Sequence, residues 1–167
     1  MLEDSWRGRL RRAGTVLIVD DDLDALEALA EIVGEHERLP LLAMNGRDAL
    51  EVLSRVEGPC LILLDLFMPV MDGFQFLRAL ERYQAPDDYP VVVMTARNAV
   101  TPIHPSVVAR LDRPCALQDL LWVLDHLAPW NGRQIGPSLV RELPAIPSLR
   151  QAIRTLDSAT LRDSEWS

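Results

Sequence analysis

The sequence predicts an α/β fold in which a parallel sheet carries helices on both faces. Three observations carry this expectation. Short apolar runs alternate along the chain with segments of helical periodicity. The runs at 16–19, 60–64 and 90–94 are apolar without interruption, the pattern of strands buried on both sides. Between them, apolar residues return every three or four positions, as in helices that cover a sheet.

TVLIVDDD (15–22) is too short and too β-branched for a helix, so it reads as a buried first strand ending in acids. DLDALEALAEIVGEH (22–36) places Leu26, Leu29 and Val33 on one face and is an amphipathic helix, with Asp22 or Asp24 as its cap and Gly34 near its end. LPLLAM (39–44) is a second strand, and NGRDALEVLSRV (45–56) is a second helix behind a turn signal. CLILLDL (60–66) is the third strand. DGFQFLRALERY (72–83) is the third helix, capped by Asp72. PVVVMTA (90–96) is the fourth strand, VVARLD (107–112) a weaker fifth, and CALQDLLWVLDHLA (115–128) the closing helix.

Residues 1–13 read as an N-terminal arm and 14–128 as one domain. Residues 129–167 differ in character, with Pro129, Pro137, Pro144 and Pro147, and read as an extension with one helix at 148–157. That extension is too short for a typical DNA-binding or enzymatic output domain.

The 167 residues carry a net charge of −8, which argues against generic nucleic-acid binding. No apolar run approaches a membrane span, and the N-terminus lacks the apolar core of a signal peptide, so a cytoplasmic protein is expected. Cys60 and Cys115 have no metal-ligand spacing and read as small buried side chains. The three histidines are scattered and read as surface or packing residues. All 17 basic residues are arginine, so the chain contains no lysine.

In sheets of this kind the working crevice lies beyond the carboxyl ends of the strands. The topology therefore gathers Asp20, Asp21 and Asp22, then Asp65, then Thr95 and Ala96, then Arg113. Carboxylates so gathered raise one another's proton affinity unless a cation sits among them. Oxygen ligands alone select a hard divalent ion, most naturally Mg²⁺, which keeps coordination sites for substrate oxygens. A phosphoryl group is the obvious guest, and a carboxylate beside the ion can be a nucleophile that forms an acyl phosphate. A threonine hydroxyl and a basic side chain would then hold the phosphoryl oxygens.

VLIVDDD, LILLDLFMPVMDG, VVVMTA and Arg113-Pro114 together resemble the receiver domains of bacterial two-component response regulators, over about residues 14–128. The resemblance implies a flavodoxin-like three-layer sandwich with a five-stranded parallel sheet of order 2-1-3-4-5. It implies that Asp65 accepts a phosphoryl group from a sensor histidine kinase or a phosphotransfer protein. Asp21 would ligate Mg²⁺ directly, Asp20 would assist through water, and Asp65 and the Phe67 backbone carbonyl would complete the ligand set. Thr95 and the Ala96 amide would bind the phosphoryl group. Met68-Pro69 and Asp72-Gly73 would shape the loop and the start of the following helix. The domain would signal by contact with a downstream protein, a homodimer among the outcomes, without direct nucleic-acid or membrane contact. It would not be an enzyme beyond its own phosphotransfer and dephosphorylation.

The sequence departs from the family between the fourth and fifth strands. Arg113 stands where the family has lysine; it keeps the charge on a wider, planar fork. The X-Pro bond after it permits the family's cis peptide. Arg110 stands where the family has an aromatic switch residue. Only 18 positions separate Thr95 from Arg113, fewer than the family usually has, and Pro102 and Pro105 fall between them. The family's helix at that point is therefore short, broken or absent.

Two other functions compete. One is a pseudo-receiver, an interaction module that does not depend on phosphorylation, favoured by the changes at Arg110, at Arg113 and in the helix between the fourth and fifth strands. The other is a phosphohydrolase of the haloacid dehalogenase type, suggested by the Asp20-x-Asp22 pair after an apolar strand; the DLFMPVMDG stretch has no place in it.

Overall fold

The computed structural model describes residues 14–82 and 88–127. The expected arm at 1–13, the extension from 129 and its helix at 148–157 lie outside the described residues.

The elements in chain order are β1 (Thr15–Val19), α1 (Leu23–Glu35), β2 (Leu39–Ala43), α2 (Gly46–Leu53), β3 (Cys60–Asp65), α3 (Gly73–Leu80), β4 (Val91–Ala96), β5 (Val107–Arg113) and α4 (Leu117–His126). The strands form one parallel sheet in the order β2-β1-β3-β4-β5. This is the expected flavodoxin-like sandwich.

Alternate strand residues face opposite layers, because side chains in a strand alternate sides. Val16 and Ile18, Leu61 and Leu63, Val92 and Met94, and Ala109 and Leu111 pack with Leu26 and Val33 of α1 and with Leu120, Val123 and Leu124 of α4. Leu17 and Val19, Ile62 and Leu64, and Val91 and Val93 pack with Ala49 and Leu53 of α2 and with Phe76, Leu77 and Leu80 of α3. Each fully buried aliphatic side chain contributes about 1.5–3 kcal/mol of transfer free energy. The uninterrupted apolar runs thus serve two cores at once.

Three helices begin on side-chain caps. Asp22 accepts from the amides of Asp24 and Ala25 at 3.0 and 3.3 Å. Asn45 accepts from the Asp48 amide at 2.9 Å. Asp72 accepts from the Gln75 amide at 2.8 Å while its own amide donates to the Gln75 side chain at 3.0 Å, a reciprocal capping box. Asp22 and Asp72 are therefore the structural caps the sequence suggested.

Residues 97–106 form no helix. Of the three expected outcomes for the family's helix here, absence is the one found. Pro102 and Pro105 remove two backbone donors in a short span, and an isolated turn gains too little to offset nucleation. The segment crosses instead as a turn, with the Ala99 amide donating to the Ala96 carbonyl at 2.9 Å, and re-enters the sheet at Val107. The Arg113-Pro114 peptide is cis, as the resemblance implied.

Candidate functional site

β1 and β3 lie side by side with Val19 opposite Leu64, so the residues that follow, Asp20 and Asp65, stand at the same level of the sheet. β4 continues the edge with Asp65 opposite Met94 and Thr95 one step further; β5 sets Asp112 opposite Thr95 and Arg113 opposite Ala96. Register alone thus brings together residues from four strands.

Asp20, Asp21 and Asp65 each offer a carboxylate oxygen, and these oxygens lie within 4.8 Å of one another. Asp20 is only 1% exposed, Asp65 is half-buried and Asp21 is open to solvent. A partly buried, all-oxygen set of three carboxylates with an open side fits a hard divalent cation such as Mg²⁺, and offers nothing to a soft metal. Asp22 turns away to cap α1, so it is not part of the cluster.

Asp20 is held at both oxygens. One accepts from the Asp22 amide at 2.9 Å, and the other accepts from the Arg113 guanidinium in an ion pair. The Arg113 side chain is 30% exposed, so the guanidinium forms one wall of the cleft. Arg113 is thereby placed on Asp20, where its charge also acts on Asp65. Burial raises the proton affinity of Asp65 above the ordinary carboxylate range; the Arg113 charge opposes this, the Asp20 charge adds to it, and the Phe67 and Leu66 amides oppose it. The Phe67 amide approaches an Asp65 oxygen at 3.4 Å.

Thr95 is 1% exposed, and its hydroxyl has no hydrogen-bond partner among the described residues. A buried hydroxyl without a partner is costly and marks a place where a guest oxygen would be welcome. Ala96, next in the chain, is exposed at the edge.

The loop between β3 and α3 is tightly built. The Gly73 amide donates to the Leu66 carbonyl at 2.9 Å, and a Cβ on Gly73 would stand 2.7 Å from the Asp65 carbonyl oxygen. Only glycine lets α3 start so close to Asp65. The Met71 amide donates to the Pro69 carbonyl at 2.8 Å across Val70, whose φ is +69°. This is a γ-turn of the strained hand, carried by a β-branched residue. The Met71 carbonyl in turn accepts from the Gly46 amide at 2.9 Å, which ties the loop to α2.

The sequence reading had no role for the Arg110 side chain. In the structure all five of its N–H donors are used. Nε donates to Asp112 at 2.8 Å. One terminal nitrogen donates to the Ala99 carbonyl at 2.6 Å and the Thr101 hydroxyl at 3.0 Å; the other donates to the Ala96 carbonyl at 2.8 Å and the Arg97 carbonyl at 2.5 Å. The available signal was the spacing of Arg110 and Asp112, two apart on a strand and so on one face.

The fold and this acidic edge define an α/β module of the receiver class, with a carboxylate cluster at the carboxyl ends of β1 and β3. The chain belongs to the response regulator receiver domain family, whose family model matches residues 16–120. Among curated relatives, the response regulator MprA of Mycolicibacterium vanbaalenii is 34% identical over 110 residues, 64% of this chain and 46% of that protein. MprA of Mycobacterium sp. strain KMS is 32% identical over 149 residues, 87% of this chain and 60% of that protein. The chain thus spans about half the length of the curated relatives it matches. A CheY-like response regulator receiver domain protein from Methanospirillum hungatei JF-1 superposes with a TM-score of 0.62 at 28% identity, over 69% of this chain and 94% of that one. The beryllofluoride-activated NtrC4 receiver domain dimer gives 0.59 at 25% identity, over 68% of this chain and 95% of that one. No helix among the described residues is long and apolar enough to cross a membrane.

Proposed function

We propose that this receiver domain takes a phosphoryl group on Asp65 from a phosphohistidine of a sensor histidine kinase or phosphotransfer protein, and signals by contact with a downstream protein. The observation that carries the reading is the meeting of three carboxylates within 4.8 Å, with Asp65 on the accessible side of buried Asp20.

In this reading an ionised Asp65 oxygen attacks phosphorus. An O–P bond forms, the donor's N–P bond breaks, and the electron pair stays on the imidazole nitrogen. Asp20, Asp21, Asp65 and the Phe67 carbonyl would hold Mg²⁺, which when bound supplies positive charge to the carboxylates and the phosphoryl oxygens. The Thr95 hydroxyl, without a partner of its own, donates to one phosphoryl oxygen, and the Ala96 amide to another. Arg113 supplies the remaining charge by sharing its guanidinium between Asp20 and the incoming oxygens. The domain then acts as a cytoplasmic signalling acceptor, not as an enzyme that turns over a separate substrate.

A second reading has one specific observation in its favour. Arg113 is hydrogen-bonded to Asp20, a proposed metal ligand, which suits a pseudo-receiver whose acidic pocket is neutralised from within. Intact-mass measurement after incubation with acetyl phosphate separates the two. Addition of one phosphoryl group that requires Mg²⁺ supports the acceptor; a folded protein that stays unmodified supports the pseudo-receiver.

A further inference from the structure

We propose that Arg110 is a positioning residue for phosphoryl binding: its guanidinium fixes the backbone of residues 96–101 and so holds the Thr95 hydroxyl and the Ala96 amide at the acceptor edge. This rests on the reading of Asp65 as a phosphoryl acceptor and adds a residue to it.

The segment after β4 has no helix to fix its course. Its carbonyls converge instead on one side chain. Ala96, Arg97 and Ala99 each offer a carbonyl to Arg110, and Thr101 offers its hydroxyl. The guanidinium is anchored from behind by Asp112 on its own strand, and the side chain is only 14% exposed. A planar fork with five fixed donors specifies five acceptor positions at once. The Ala96 carbonyl belongs to the residue whose amide the acceptor reading assigns to the phosphoryl group, and Thr95 immediately precedes it. Fixing that carbonyl fixes the rigid 96–97 peptide unit and with it the position of the Ala96 Cα, to which the amide-bearing unit is joined, so the excursion of that amide is limited.

The same count explains why Arg110 does not act as a swinging side chain. Leaving its place would break five hydrogen bonds at once, those to Asp112, Ala99 and Thr101 in a part-buried setting. Arg110 therefore sets the geometry beforehand, and the binding edge is preorganised. A lysine in its place would keep the charge but present a single compact head on a flexible stem, and would reach only part of the acceptor set.

The test uses the whole chain, with beryllofluoride as the phosphoryl mimic and Mg²⁺ as a separate probe. Arg110→Lys is expected to bind beryllofluoride about tenfold more weakly at saturating Mg²⁺, the scale of one lost charged hydrogen bond. Its affinity for Mg²⁺ alone stays within about twofold of wild type, since no carboxylate of the cluster touches Arg110 among the described contacts. Thr101→Val removes one acceptor of the fork and leaves four, and is expected to weaken beryllofluoride by about threefold, a fraction of the Arg110→Lys effect. If Arg110→Lys fails to fold, Thr101→Val decides the matter. Folded variants that bind beryllofluoride like wild type overturn the positioning role. So does a parallel loss of Mg²⁺ affinity, which would mean general damage to the edge. A wild-type chain that binds Mg²⁺ but neither binds beryllofluoride nor takes a phosphoryl group from acetyl phosphate brings down the acceptor reading itself, and this role with it.

Discussion

Replacing Arg113 by alanine perturbs the acidic edge at its most strongly paired point. Asp20 is almost fully buried and depends on two donors, the Asp22 amide and the Arg113 guanidinium. Removing one partner of a fully buried ion pair costs about 3–5 kcal/mol, and an exposed pair is worth less than about 1 kcal/mol. Asp20 belongs to the first case, but Arg113 is 30% exposed and water can reach its place. An intermediate cost of about 2 kcal/mol follows in metal-free buffer. The same guanidinium competes with a cation for Asp20, so its loss should strengthen Mg²⁺ binding by up to about 30-fold, the equivalent of that energy. Urea denaturation of wild type and Arg113→Ala, with chelator and with saturating Mg²⁺, reads the first effect; calorimetric Mg²⁺ titration reads the second. The stability gap should be wide without Mg²⁺ and should narrow below about 1 kcal/mol with it, because ligand bound to the native state stabilises in proportion to its affinity. A gap that is the same in both buffers, with unchanged Mg²⁺ affinity, would refute the placement of Arg113 on Asp20.

Other substitutions test neighbouring parts of the account. Burial raises the proton affinity of Asp65 in the folded chain, so its contribution to stability falls as pH rises from the ordinary aspartate value, near 3.8, through the higher native one. Asp65→Asn should therefore raise the urea midpoint at neutral pH in chelator, with the gain shrinking to nothing in acid; a gain independent of pH would contradict this. Gly73→Ala places a Cβ 2.7 Å from the Asp65 carbonyl oxygen and 2.8 Å from Leu66 Cα, and should lower stability by about 1–3 kcal/mol in thermal melts. Val70→Gly relieves a β-branched residue at φ +69° and should leave the melting temperature unchanged or higher, since relief of about 1–2 kcal/mol exceeds the added unfolded-state entropy. Asp72→Ala removes the capping box and should cost about 1 kcal/mol in the same melts.

The strands were legible because continuous apolar runs have few other uses, and here each one serves two cores. The acidic edge was legible for a related reason. In a parallel sheet, strand order and register alone bring Asp20 and Asp65 to one level, whatever their side chains do. What pattern could not supply was the direction taken by long side chains. Residue types alone allow the fork of Arg113 to face Asp65 or solvent; the fold brings it to Asp20. Arg110 read as the loss of an aromatic ring, whereas its five donors take over the course of a segment that two prolines keep from being a helix. Gln75 as the reciprocal half of the α3 cap, and the γ-turn at Val70, likewise depend on local geometry that residue types only permit.

The central claim is that Asp65 is the residue modified. The most direct measurement treats wild type and Asp65→Asn side by side with acetyl phosphate and Mg²⁺ and maps the modified peptide by mass spectrometry. One phosphoryl group is expected on the peptide containing Asp65 in wild type and none in the variant. A folded wild type that takes no phosphoryl group, or a variant labelled as well as wild type, would contradict it.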